Sequence, residues 1–151
     1  MRGFLKYWLP VLIWMAVIFG ASSDRHSSEH SSSIFKPLLQ WLFPHMSETE
    51  IESIHHLFRK FCHLAEYAIL GLLVFRALGF SKNKLPTWSW PRVAGTLLIV
   101  FLYSSTDEFH QRFVPTRTSS FWDVLIDTAG AAIGLLVAWI YHCWRKPKTE
   151  S

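Results

Sequence analysis

The chain has 151 residues, half of them hydrophobic, with eight tryptophans and a formal charge of +4. A soluble domain of this size is seldom so apolar and aromatic, and the lysines and arginines flank apolar runs instead of lining one face; this excludes an ordinary soluble bundle and a nucleic-acid binder. No repeat at solenoid or propeller periods and no low-complexity stretch interrupts it, so residues 1–151 read as a single membrane domain.

The first apolar span covers residues 4–21, apolar apart from Lys6, and the basic residues Arg2 and Lys6 mark its start. A basic start and small residues at the far end also fit a cleaved signal peptide, but the apolar run exceeds a usual signal core, so a retained helix is expected. Pro10 is expected near the start of that helix, where its missing N–H does least harm. A polar connection then runs from Ser22 to about Lys60. Within it Ile34, Phe35, Leu38, Leu39, Trp41, Leu42 and Phe43 recur at helical spacing around Pro37, the pattern of an amphipathic segment lying in the membrane interface. Ser47 and Glu50 bracket a capping box, so a helix starts there and leads without a breaker into a second span over residues 61–78.

The third span, residues 91–106, opens on Pro91, which suits a first helical turn. The fourth, residues 121–144, is stopped by Arg145, Lys146 and Lys148. The expected fold is therefore all-α: a four-helix polytopic transmembrane bundle with an amphipathic helical outer loop. With the N-terminus inside, the inner segments carry nine basic residues and one acidic residue, against six basic and ten acidic outside. That bias, concentrated in short loops, predicts a multi-pass protein of the cell membrane with both termini cytoplasmic.

Between the last two spans lies a dense polar block, Asp107 to Asp127, with four carboxylates, one histidine, one glutamine and two arginines. A charge at membrane depth costs roughly 2.5–3.5 kcal/mol even on insertion scales, so such residues are expected to be paired, solvated or used. In an antiparallel bundle, Ser22 and Ser23 end span one and His63 and Glu66 begin span two. Asp107 and Glu108 end span three, and Asp123 and Asp127 begin span four. All four places then meet at the outer face. His63, Glu66, Tyr67 and Gly71 share one helical stripe, as do Asp123, Asp127, Gly130, Ala131 and Gly134. Gly130 and Gly134 form a spacing that admits a neighbouring helix closely. If the third helix lasts one turn further, Asp107, His110 and Gln111 share a face with Glu108 beside it.

Two chemistries fit this set. Imidazoles and carboxylates, as in His63 with Glu66 or His110 with Asp107 and Glu108, could hold a divalent metal, which is not favoured because no metal-binding signature such as HExxH occurs. Crowded carboxylates could do acid/base work, with Asp107, Glu108 and His110 as the candidate catalytic groups. A structural ion-pair network among Asp107, Glu108, Arg112, Arg117, Asp123 and Asp127 competes with both. Arg117 is placed to take a phosphate or carboxylate, or to pair with Asp123. The histidines at 26, 30, 45, 55 and 56 read as solvated. Cys62 and Cys143 fall at opposite ends of the bundle, ~30 Å apart, too far for a disulfide.

The segments HLAEYAILGLLVFRAL from His63 and DEFHQRFVPTRTSSFWDVLIDTAGAAIG from Asp107, with the serine pair at 22 and 23, resemble the VanZ-like family of small bacterial membrane proteins. The resemblance implies a four-helix membrane protein linked to reduced susceptibility to teicoplanin, a lipid-bearing glycopeptide. His63, Glu66, Tyr67, Asp107, Glu108, His110, Gln111, Pro115, Arg117, Asp123 and Asp127 fall on the family's polar signature. Thr116 stands where glycine often follows the proline, and Asp127 where asparagine is often seen. The expected function is an outward-facing polar pocket that binds or acts on a lipid-linked wall precursor or a lipoglycopeptide. His63, Glu66, Tyr67, Gln111, Arg117, Asp123 and Asp127 are its candidate ligand-binding residues. The alternative is an enzyme that modifies a lipid headgroup. The expected partners are membrane lipids, with no nucleic acid and with a homodimer open.

Overall fold

The structure, a computed structural model, describes residues 2–23, 36–80, 88–113 and 120–145. Four long helices form it: α1 (Arg2–Ser23), α3 (Glu48–Leu78), α4 (Trp90–Gln111) and α5 (Phe121–Arg145). A short helix, α2, covers residues 36–42, and the described residues contain no strand. Helices α1, α3 and α5 are long and apolar enough to cross a membrane, over Gly3–Ser22, Glu48–Leu78 and Phe121–Trp144. Helix α4 matches α1 in length at 22 residues, or ~33 Å. It falls short in apolarity because Arg92 stands at one end and Asp107, Glu108, His110 and Gln111 at the other. Four of the described helices are long, and three of them meet the measure of a membrane span.

Large apolar side chains point outward along much of this surface, among them Leu12, Ile13, Leu98, Leu102, Leu136 and Val137. In water such a surface would be a liability; against lipid it is the expected facing. The interior is small and close-packed, built on Val11, Ile18, Tyr67, Leu70, Val74, Val100 and Ala131. Helices α3 and α5 approach most closely where their side chains vanish. A Cβ on Gly134 would lie 2.9 Å from the Ala68 carbonyl oxygen, and one on Gly71 would lie 2.9 Å from Ala131 Cβ. The Gly130/Gly134 spacing read in the sequence is thus the seam between α3 and α5.

Helix starts follow local chemistry. Ser47 caps α3: the Glu50 N–H donates to Ser47 Oγ (3.4 Å), while the Ser47 N–H donates to Glu50 Oε2 (2.8 Å). Ser47→Ala should therefore cost about 1 kcal/mol and speed amide exchange in the first turn of α3; unchanged exchange at Glu50 and Ile51 would refute the cap's role. Pro91 occupies the first turn of α4 as expected. The position of Pro10 differs from the expectation. Helix α1 already begins at Arg2, so Pro10 lies inside it and withholds a donor from the Lys6 carbonyl.

Helix α2 lies against the start of α3 through its polar side. Lys36 Nζ meets Glu52 Oε1 at 3.1 Å and Gln40 Nε2 donates to Glu48 Oε1 at 2.9 Å. Leu38, Trp41, Leu42 and Phe43 are exposed, the facing expected of a helix lying in the interface; Ile34 and Phe35 lie outside the described residues. At the far end of the bundle Arg76 sits over Tyr7 (5.1 Å) and Arg92 over Phe75 (4.6 Å). These cations stay near the bundle end while their stems cover aromatic surface.

Candidate functional site

The polar groups that the sequence scatters over a hundred positions form two connected layers at one end of the bundle. The inner layer centres on Asp107, only 1% exposed. One of its oxygens, Oδ2, accepts hydrogen bonds from Ser22 Oγ (2.9 Å), Tyr67 OH (3.3 Å) and Gln111 Nε2 (3.1 Å). Gln111 Nε2 also donates to Ser22 Oγ at 3.2 Å. A single carboxylate thus ties α1, α3 and α4 together. Beside it, Asp127 of α5, also 1% exposed, accepts from Ser104 Oγ of α4 at 2.6 Å through Oδ2. Its other oxygen, Oδ1, stands 3.7 Å from His63 Nδ1 and accepts no hydrogen bond among the described residues.

Helix α1 is held into this arrangement by two side-chain donors to backbone oxygen. Trp14 Nε1 donates to the Glu66 carbonyl (2.9 Å) and Tyr103 OH to the Met15 carbonyl (2.6 Å). Both satisfy the polar tip of an aromatic ring whose body packs on the interior. The register of α1 against α3 and α4, and with it the reach of Ser22 to Asp107, follows from these anchors.

The outer layer is a cleft of about 70 Å³ lined by His56, Arg59, Lys60 and His63 of α3, Glu108 and Gln111 of α4, and Asp123, Ile126 and Asp127 of α5. Its α3 wall is basic and its α4 and α5 walls are acidic. Lys60 Nζ approaches Asp123 Oδ1 at 3.9 Å, whereas Arg59 makes no ion pair among the described residues. Glu108 Oε2 accepts from the Ser120 N–H at 3.1 Å, and Ser120 Oγ accepts from the Trp122 N–H at 3.2 Å. One serine therefore joins the end of α4 to the start of α5. Asp123 lies in the first turn of α5, where the helix dipole favours a negative charge.

Among the expected site residues, the structure gathers His63, Tyr67, Asp107, Glu108, Gln111, Asp123 and Asp127. Helix α4 continues to Gln111, the extra turn on which the shared face depended. The face itself differs from the expectation: Thr96, Val100, Ser104, Asp107, Glu108 and Gln111 are the buried residues. His110 falls outside that stripe, and its ring lies 4.6 Å from that of Phe19. Glu66 is half-buried, with its backbone oxygen taken by Trp14. Arg117, with Pro115 and Thr116, lies outside the described residues, as do Asp24, His26 and His30.

Several participants are not marked as site residues by the sequence. Ser104 precedes Asp107 by three positions on the same helical face, a spacing that could have flagged it. His56, Arg59, Lys60 and His63 recur at i, i+3, i+4 and i+7, one stripe of α3, which a polar connection ending at about Lys60 divides in two. His55 is 9% exposed, so the reading of it as solvated is corrected: it sits four residues after buried Ile51, on the inward side of α3. His56 is exposed but borders the cleft. Cys62 and Cys143 are both free thiols. No three His, Cys, Asp or Glu side chains among the described residues are grouped to hold a metal ion.

These features define a helical membrane protein with buried polar side chains gathered at one end of its bundle. The profile of the VanZ/LLP1 family matches residues 7–142, and the chain belongs to that family. Neither a search of curated proteins nor a search of solved structures gives a match.

Proposed function

We propose that the protein binds the polar headgroup of a cell-envelope lipid, of a lipid-linked wall precursor or of a lipoglycopeptide in the cleft between α3, α4 and α5. The observation that carries this reading is the cleft itself: Arg59 and Lys60, beside His56 and His63, face an interior of carboxylates in a protein whose outer surface is apolar. An anionic headgroup would meet the α3 wall while its chains stay in lipid, the division of a binding site into few polar contacts and a large apolar remainder. The sequence reading in which Arg117 and Arg112 meet the anionic group belongs to the same proposal. The family's association with teicoplanin resistance suits a ligand of this class.

The headgroup is tested by native mass spectrometry of the purified chain in detergent. Wild type should retain phospholipid, and Arg59→Gln with Lys60→Gln should weaken that binding at least tenfold. Retention of no lipid by wild type, or unchanged retention by the double variant, would refute the reading.

A second reading, an enzyme modifying the headgroup, is favoured by one observation: His63 Nδ1 stands 3.7 Å from Asp127 Oδ1 at the cleft wall. A carboxylate beside an imidazole is the pairing that orients a general base. In that reading Glu108 is the further carboxylate at hand, Asp107 acts through its hydrogen bonds, and His110 serves from outside the cleft. Loss of headgroup turnover in His63→Gln, with headgroup binding kept, would establish it. Loss of binding to the same degree would count against it.

The proposal includes four membrane crossings, α4 among them, and both termini cytoplasmic. The charge bias of the sequence supports this orientation. In a background lacking Cys62 and Cys143, the variants Arg25→Cys and Thr116→Cys should react with a membrane-impermeant thiol reagent from outside and Phe80→Cys only from inside. Any other labelling pattern overturns the orientation. A homodimer is part of the same proposal only as an expectation for chemical crosslinking.

A further inference from the structure

The cleft carries charge of both signs, arranged in order along its depth. Arg59 and Lys60 belong to its α3 wall, while Asp127 forms its buried floor beside His63. Arg59 and His63 are four residues apart on one helix, so the cationic wall and the His63–Asp127 pair are separated by about one turn, ~5.4 Å. Asp127 Oδ1 is a buried carboxylate oxygen, lining the cleft, that accepts no hydrogen bond among the described residues. Such an atom is costly to leave unmatched, and the missing element is an N–H donor bearing positive charge.

We infer that the cleft selects a phosphate ester carrying a primary amine, with the phosphate on Arg59 and Lys60 and the ammonium on Asp127. This rests on the headgroup reading of the cleft. It goes further by assigning the acidic side of the pocket a ligand group of its own. Three carboxylates line the cleft, Glu108, Asp123 and Asp127, against two permanently basic side chains, Arg59 and Lys60. Glu108 is engaged by the Ser120 N–H and Asp123 lies near Lys60. Among the described residues Asp127, which lines the cleft, has no permanent cation beside its Oδ1, only the His63 imidazole at 3.7 Å. An ammonium there would supply the donor for Oδ1 and a counter-charge in a site of low dielectric, where both are worth most. A headgroup that ends in hydroxyls would bring O–H donors toward that carboxylate but no counter-charge. A trimethylated ammonium would bring charge but no N–H. An amine separated from its phosphate ester oxygen by two carbons spans a distance of the same order as the single turn between the two ends of the site.

The test uses the purified full-length chain in detergent with short-chain phosphatidylethanolamine, phosphatidylglycerol and phosphatidylcholine, each titrated and read by native mass spectrometry. Wild type should bind the ethanolamine lipid at least tenfold more tightly than the glycerol or choline lipid. Asp127→Asn should bring the ethanolamine lipid to the level of the other two and leave the glycerol lipid within about twofold. Arg59→Gln should weaken all three. Equal or tighter binding of the glycerol lipid, equal binding of the choline lipid, or a preference that survives Asp127→Asn overturns the inference while leaving the headgroup reading standing. Binding of none of the three overturns both. If Asp127→Asn does not yield folded protein, the wild-type comparison of the three lipids decides alone.

Discussion

Replacing Gly130 by leucine should separate α5 from α3 and leave no stably folded protein. A side chain at this position would be driven into the backbone carbonyl of Leu64 on α3, which cannot swing away as a flexible side chain could. Overpacking in a close-packed interior costs typically 1–3 kcal/mol, and a clash with backbone belongs at or above the top of that range. Lipid offers no hydrophobic driving force to hold two displaced helices together, so the lost van der Waals contact is not recovered elsewhere. Gly134→Ala, whose Cβ would stand 2.9 Å from the Ala68 oxygen, should destabilise by less, because one methyl needs only a small shift of the helices. Gly20 supplies the control: nothing lies within 4 Å of a Cβ there, so Gly20→Ala should be neutral or gain up to about 1 kcal/mol from helix propensity. Thermal unfolding in detergent should rank the three in that order, and a Gly130→Leu protein that melts with wild type would refute the account of the seam.

The same seam explains why the site exists where it does. Leu64, which Gly130 admits, follows His63; Asp127 precedes Gly130 by three residues. The close approach of the two backbones is what brings an imidazole of α3 and a carboxylate of α5 to 3.7 Å. Headgroup binding should accordingly fall with Gly134→Ala even though residue 134 does not line the cleft.

Much of this was legible in the sequence because period and charge are local properties. The spacing of Gly130 and Gly134, the capping box at Ser47 and Glu50, and the stripe through His63 and Tyr67 each follow from helix geometry alone, and α3 and α5 bear them out. The convergence of Ser22, His63, Asp107 and Asp127 followed from the antiparallel order of the spans. What the sequence could not give is the fine rotation of one helix against another. His110 and Gln111 are neighbours in the chain, 100° apart on the helix, and a modest difference in the facing of α4 buries Gln111 while turning His110 toward Phe19. Asp123 meets Lys60 of α3, a contact that helix periodicity alone does not suggest, while Arg117, its possible partner from the sequence, lies outside the described residues. Ser104 is followed by Ser105, and the local sequence does not say which of the two meets an aspartate of another helix: Ser105 turns back to the Phe101 carbonyl while Ser104 reaches Asp127.

Asp107→Ala is the second large effect, and it separates a structural role from a chemical one. The substitution strands donors on three helices: Ser22 on α1, Tyr67 on α3 and Gln111 on α4. Gln111 keeps Ser22 Oγ as a partner at 3.2 Å, but the Tyr67 hydroxyl loses its bond to Asp107 in a part of the bundle where Tyr67 itself is fully buried. Each stranded donor costs about 1–3 kcal/mol, so Asp107→Ala should lose about 3 kcal/mol or more. Asp107→Asn keeps the shape and one carbonyl oxygen and should fall between it and wild type. Paired with Tyr67→Phe in a double-mutant cycle, Asp107→Asn should show a coupling of about 1 kcal/mol, since the two residues share one hydrogen bond. If Asp107 acts only by tying α1, α3 and α4, every folded Asp107→Asn molecule should bind headgroup as wild type does, and the loss should appear wholly in the unfolding temperature. A folded Asp107→Asn protein with intact binding but no headgroup turnover would instead place Asp107 in the chemistry, and the inner layer would then have to be counted as part of an active centre and not as its support.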